Sequence, residues 1–184
     1  MSSKGAKPEE SVSSTKKEFA KAKLSMSLDF IFGRGTSRKL KFDEMDYQFS
    51  RKTGRLRYVV DHSTKKVLFT LRANGSIAPT IDGATLMLGS FKGQSSRWPR
   101  FALTVLNGVS DFVSEGKTVF CKHVVFCDKS LRAGEDVVIL NEKGILLGVG
   151  KSVVPCKLMK QFKRGVAVKM REGIKSQNVA IPFN

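Results

Sequence analysis

Between Gly116 and Ile174 the chain reads GKTVFCKHVVFCDKSLRAGEDVVILNEKGILLGVGKSVVPCKLMKQFKRGVAVKMREGI, a succession of short apolar runs separated by basic, glycine-punctuated turns. Runs of this length, bounded by turn residues, are strand-sized. Val119 to Phe126 is apolar apart from Lys122 and His123, and Val137 to Leu140 is short enough for a buried strand. Glu142-Lys143-Gly144 reads as the turn into a returning strand from Ile145 to Val149, with a further extended piece from Ser152 to Val154. Pro155 suits the start of a short helix over Cys156 to Phe162, because its missing N–H costs little at the first helical position. Gly165 ends that helix. Val166, Val168 and Met170 then alternate with Ala167, Lys169 and Arg171 as a last half-buried strand. Five or six short strands and one helix predict a small closed or half-closed barrel.

The chain before it has a different texture. Residues 1–26 are rich in Ser, Lys, Glu and Ala, with few large apolar side chains before Phe19 and Leu24. Such a composition buries little surface against chain entropy, so a flexible basic tail is expected. It is either simply solvated or an RNA-reaching arm whose segment from Thr15 to Leu24 turns helical on binding. From Leu28, apolar Leu28, Phe30 and Phe32 alternate up to a Gly33-Arg34-Gly35 turn, and Thr36 is a fair N-cap for a short helix over Ser37 to Phe42. Leu56 to Asp61 and Lys66 to Arg72 read as a hairpin through His62-Ser63-Thr64-Lys65. Asn74-Gly75 is a tight turn before a strand from Ile77 to Ile81, and Asp82-Gly83-Ala84 leads into a short helix from Ala84 to Leu88. These elements predict a small α+β module over residues 27–100. Phe101 to Leu106 and a helical turn at Val109 to Ser114 form its connection, residues 101–115, to the barrel at 116–174, and 175–184 are a C-terminal extension.

Charge narrows the partner. Lys and Arg total 33 against 16 acidic residues, a formal charge of +17 over 184 residues. A field of that sign favours a polyanion. Nucleic acid fits better than an anionic membrane, since the chain has neither a basic amphipathic helix with a wide apolar face nor an apolar run long enough to span. Cys121, Cys127 and Cys156 sit in apolar surroundings typical of buried thiols, and the polar, lysine-rich start has no secretory pattern, so a reducing cytoplasmic location is expected. Their spacing lacks the close pairs of a structural zinc site, so no metal and no cofactor are expected.

Four phrases of the barrel carry a resemblance: Val119-Phe120-Cys121-Lys122, the turn from Leu131 to Val137, Gly148-Val149-Gly150-Lys151, and, most specific, Phe162-Lys163-Arg164-Gly165-Val166-Ala167-Val168. The segment resembles a PUA domain, the RNA-binding pseudobarrel of pseudouridine synthases and archaeosine transglycosylases. It is most similar in texture to the C-terminal part of the archaeal tRNA-guanine transglycosylases. Phe32-Gly33-Arg34-Gly35, Arg51-Lys52-Thr53-Gly54-Arg55 and Leu71-Arg72-Ala73 extend the likeness to the domain that precedes the PUA domain there. Asn74-Gly75 stands where that family often has an acidic residue before the glycine, so no contact is carried over at that position. The resemblance implies a structured RNA ligand, tRNA or a helical rRNA element. It also implies that the large catalytic barrel of the transglycosylases is missing, since a chain of this length has no room for it.

An RNA duplex is read mainly by shape and backbone charge, which calls for cations on a rigid surface and close backbone approach at glycines. In the barrel the candidates are Lys122, Gly150, Lys151, Lys169 and Arg171, together with Lys160, Lys163 and Arg164 at i, i+3, i+4 spacing. In the first module they are Arg51, Lys52, Arg55 and Arg57. Trp98, between Arg97 and Arg100, reads as an interface plug before it reads as a stacking platform. His62, His123 and the cluster Asp43, Glu44, Asp46, which reads as a charged loop, offer no catalytic constellation, and no phosphate-cradling glycine motif is present. The expected function is non-catalytic binding of rRNA or tRNA, as in a ribosome-associated protein bound to a ribosomal subunit. The alternative is an RNA-binding accessory subunit of a separate tRNA-modifying enzyme of the archaeosine type.

Overall fold

The computed structural model describes residues 8–91, 99–162 and 164–176. From residue 8 the expected tail is instead part of a 25-residue helix, α1 (Pro8–Phe32), while residues 1–7 of that tail lie outside the described residues. Ala20, Leu24, Leu28 and Phe32 recur every fourth residue, and none is more than 2% exposed. A stripe of one apolar residue per turn is narrow, yet burying each large side chain is worth about 2 kcal/mol, enough to order a segment that composition marks as polar. The helix stops at Gly33, whose φ of +104° only glycine adopts easily. The helix expected over Ser37 to Phe42 does not form. The Thr36 hydroxyl donates backwards to the Gly33 carbonyl at 2.7 Å, and so does not cap an N–H ahead of it.

A four-stranded antiparallel sheet follows, in the order β1-β2-β3-β4. Its strands are β1 (Met45–Phe49), β2 (Leu56–Asp61), β3 (Val67–Leu71) and β4 (Ile77–Pro79). Strand β1 corrects the charged loop expected around Asp46. Helix α2 (Ile81–Gly89) is capped by Thr80, whose hydroxyl accepts from the Gly83 N–H at 3.2 Å. It packs so closely on β3 that a Cβ at Gly83 would stand 2.1 Å from the Leu68 carbonyl oxygen.

The remaining elements are β5 (Ala102–Val105), α3 (Ser110–Ser114), β6 (Val119–Phe120), β7 (Val124–Cys127), β8 (Asp136–Asn141), β9 (Leu146–Ser152), α4 (Cys156–Met159) and β10 (Val166–Gly173). Their six strands run β6-β10-β9-β8-β5-β7 in one curled sheet, a half-barrel. Among the described residues only β5 and β8 pair in parallel. Strand β5, expected to connect the first module, therefore belongs to the barrel, between β8 and β7. The single strand expected from Val119 to Phe126 is broken by a tight turn at Cys121–His123, and the pieces expected from Ile145 to Val154 merge into β9.

The two sheets share a core. Leu24, Leu28, Phe32, Phe69 and Met87 pack in one cluster with Ala102, Val138, Leu140 and Val149 of the barrel. Phe101 anchors it edge-on to Phe32 and Phe91, with ring centroids 5.6 and 5.7 Å apart. A second cluster, with Leu103, Val119, Ile139, Met159 and Val168, fills the barrel itself. The modules are thus fused through a cluster to which both contribute side chains.

Candidate nucleic-acid interface

Strand β10 collects the barrel cations. On one side it pairs with β6, placing Val166 opposite Phe120, and the Cys121 N–H donates to the Gly165 carbonyl at 2.9 Å. Lys122 and Arg164 are therefore carried on neighbouring stretches of chain. On the other side it pairs with β9, where Lys169 lies directly across from Lys151. Lys160 follows α4 and holds its ammonium 5.7 Å from the centre of the Phe126 ring. Lys122, Lys151, Lys160, Arg164 and Lys169 are all exposed. None has an ion-pair partner among the described residues. Three aromatic rings stand exposed close by in the chain or across from these cations: Phe120 on β6, Phe126 on β7 beneath Lys160, and Phe162 two residues after Lys160. These aromatics escape a search for basic residues alone. Their signal is an unburied Phe beside Lys or Arg in elements whose other faces are packed.

Two of the expected contacts have other duties. Gly150 lies buried within β9 and is no turn glycine. A Cβ there would meet the Lys169 carbonyl oxygen and a Val168 methyl, both at 2.7 Å. It is glycine so that β10 can approach. Gly150→Ala should cost roughly 1–3 kcal/mol by overpacking, with RNA affinity of the folded fraction unchanged. Urea unfolding beside RNA titration checks this, and an affinity loss at unchanged stability would restore Gly150 as a contact. Arg171 is likewise spoken for: its guanidinium donates to the Asp136 carboxylate and to the Pro79 carbonyl. Asp136, its side chain 2% exposed, also accepts from Arg72 Nη1 at 2.7 Å. Next to it, Glu135 accepts from Arg100 at 3.2 Å and from the Arg132 N–H at 3.0 Å. Asp136 thus ties the two sheets together through Arg72 and takes Arg171 away from a phosphate-facing role, whereas Glu135 braces turns within the barrel.

Arg51, Lys52, Arg55 and Arg57 are exposed, the first three on the hairpin that joins β1 to β2 and the last on β2. Arg57 stacks over the Tyr58 ring at 5.1 Å. The hairpin belongs to β1 and β2, whereas the barrel contacts this sheet at its other edge, through β4. The two basic groups are therefore not brought together. Lys163, Arg97 and Trp98 lie outside the described residues.

Several titratable groups away from β10 are paired. Lys21 is held well above the usual lysine range by hydrogen bonds to Asp43 and Glu18, both at 2.6 Å. Asp46 is held below the usual carboxylate range by bonds to His62 and Lys65, each 2.9 Å. Asp43 and Asp46 thus act as structural counter-ions, and His62 serves one of them. Cys127 and Cys156, expected as thiols, are joined in a disulfide that fastens the end of β7 to the first turn of α4. Cys121 remains a buried thiol whose pKa burial pushes up. No helix among the described residues is long and apolar enough to cross a membrane.

A half-barrel with these exposed cations corresponds to a known class. Residues 102–174 match the PUA domain family, and a PUA domain implies RNA binding. Residues 22–94 match the patch-forming domain C2 of tRNA-guanine transglycosylase. The chain carries the two matches in the order C2 then PUA, and resembles the C-terminal region of the archaeal tRNA-guanine transglycosylases, as its phrases predict. The tRNA-guanine(15) transglycosylase of Methanococcus aeolicus is 38% identical over 130 residues, 68% of this chain and 19% of that protein. That of Thermoplasma volcanium is 33% identical over 165 residues, 89% of this chain and 25% of that protein. The chain thus spans about a fifth to a quarter of the length of these relatives. Among solved structures, a hypothetical protein of Pyrococcus horikoshii OT3 superimposes with a TM-score of 0.61 at 24% identity, over 83% of this chain and 89% of that one. A conserved PUA domain protein of Thermoplasma acidophilum gives 0.56 at 19% identity, over 85% and 89%. At these identities the two structures speak for the fold.

Proposed function

We propose that this chain holds structured RNA of the tRNA kind against β10 and its neighbours, does no chemistry itself, and serves a tRNA-modifying reaction of the transglycosylase type carried out by a separate catalytic domain. The carrying observation is the set of five exposed cations, none ion-paired among the described residues, gathered around one strand of a PUA domain. Five exposed cations suit the neutralisation of RNA phosphates, and the neighbouring Phe rings add faces for unpaired bases. Relatives named for tRNA-guanine transglycosylation favour tRNA over rRNA. The cytoplasmic location expected from the sequence belongs with this reading.

Crosslinking in cell extract followed by sequencing of the bound RNA tests it. Recovery of tRNA is the expected result. Recovery of rRNA confined to one helical region would replace it with a ribosome-associated role, and recovery of no RNA would remove the function altogether. Turnover by the purified chain alone would overturn its non-catalytic part.

A further inference from the structure

Cations converge a second time where α1 crosses the β1–β2 hairpin. A groove of about 630 Å³ opens there, floored by Phe19, Ala20, Phe49 and Leu56. Lys16, Lys23 and Arg55 form its rim, and no carboxylate lines it among the described residues. Residues 16, 19, 20 and 23 fall at i, i+3, i+4 and i+7, one face of the helix. The acid on this part of α1, Glu18, is occupied on another face with Lys21. Phe19 is 68% exposed and Phe49 36%. Leaving such rings in water is unfavourable unless something covers them.

The chemistry of the occupant follows from this pairing. An apolar protein helix would satisfy the rings but strand the three cations, and a free anion would satisfy the cations but leave the rings wet. An unpaired nucleotide has both parts, a flat apolar base and flanking phosphates. The α1 wall up to Ala20 precedes residue 22, where the match to the transglycosylase C2 domain begins. That wall is therefore built by residues that the family match does not include. We propose that the groove takes an unpaired nucleotide of the bound RNA, with the base against Phe19 and Phe49 and the phosphates against Lys16, Lys23 and Arg55. This rests on the RNA-binding reading above and adds a single-strand contact, on the first sheet, to the contact at β10.

The test uses the full chain with two probes, a short unstructured oligoadenylate and an RNA hairpin with a fully paired stem. Phe19→Ala should weaken oligoadenylate binding about tenfold, the scale of one lost stacking contact, while hairpin binding and the melting temperature stay as they were. Phe19→Trp should retain oligoadenylate binding. Lys160→Gln with Arg164→Gln should give the reverse pattern, with the hairpin lost first. Wild-type affinity for oligoadenylate in Phe19→Ala overturns the groove proposal alone. Failure of the unaltered chain to bind either RNA overturns it together with the reading on which it rests.

Discussion

Asp136→Ala should lower the free energy of unfolding by about 3 kcal/mol, the scale of a buried ion pair from which one partner is removed. The Asp136 side chain is 2% exposed, whereas Arg72 and Arg171 keep 33% exposure each. Deleting the carboxylate therefore leaves two guanidinium groups at the junction of the sheets with part of their hydration intact, which holds the loss to the lower end of the usual range. Arg171 also donates to the Pro79 carbonyl of β4, so the change loosens β10, β8 and β4 at once. Both sheets share a core through Phe101, Ala102, Val138 and Leu140. Unfolding should accordingly remain one cooperative transition with an unchanged urea m-value. Asp136→Asn, which keeps an acceptor oxygen but no charge, should fall between the wild type and alanine. A loss below about 1 kcal/mol, the worth of an exposed pair, would mean that solvated arginines need no counter-ion and that apolar packing alone joins the sheets.

Much of the barrel is legible in the sequence, because its information is local. Val137 to Leu140 and Val166 to Met170 are short apolar runs between turns, and each becomes a strand. The helix-face spacing of Lys160 and Arg164 does not hold, because α4 ends at Met159, short of the expected Phe162, which leaves Lys160 at its end and Arg164 on the approach to β10. What is not legible depends on distant partners. Helix α1 reads as tail up to residue 26 and as a period-two alternation at Leu28, Phe30 and Phe32, because Ala20, Leu24, Leu28 and Phe32 give only one apolar residue per turn and the core they join is completed by side chains of β3, α2 and β5. The four-residue spacing is nonetheless the signal that the sequence offers. Gly150 looks like a phosphate-approach glycine until β10 is seen lying against it. Arg171 looks like a partner of Lys169 until Asp136 and Pro79, 35 and 92 residues away in sequence, are found beside it. Local pattern reports which face a residue is on, but whether a cation is free is decided by the whole fold.

Replacing Lys151, Lys160 and Arg164 together by glutamine should weaken RNA binding about a hundredfold near physiological salt and make the slope of log K against log salt shallower by about two to three. The two numbers come from one cause. Each phosphate that is neutralised releases close to one counter-ion, so the affinity a contact contributes and its salt dependence are lost together. The three side chains are exposed and without ion-pair partners among the described residues, so the melting temperature should not move. Arg171→Gln supplies the contrast. It removes the same kind of charge from the same surface, but that charge is already spent on Asp136, so stability should fall while the salt slope keeps its wild-type value. Titration of both variants against one tRNA at several salt concentrations separates the cases. A hundredfold loss with an unchanged slope would show that the triple variant acts by stacking or shape. An unchanged affinity would move the interface away from β10, leaving the basic β1–β2 hairpin and its groove as the place where the charge of this chain meets RNA.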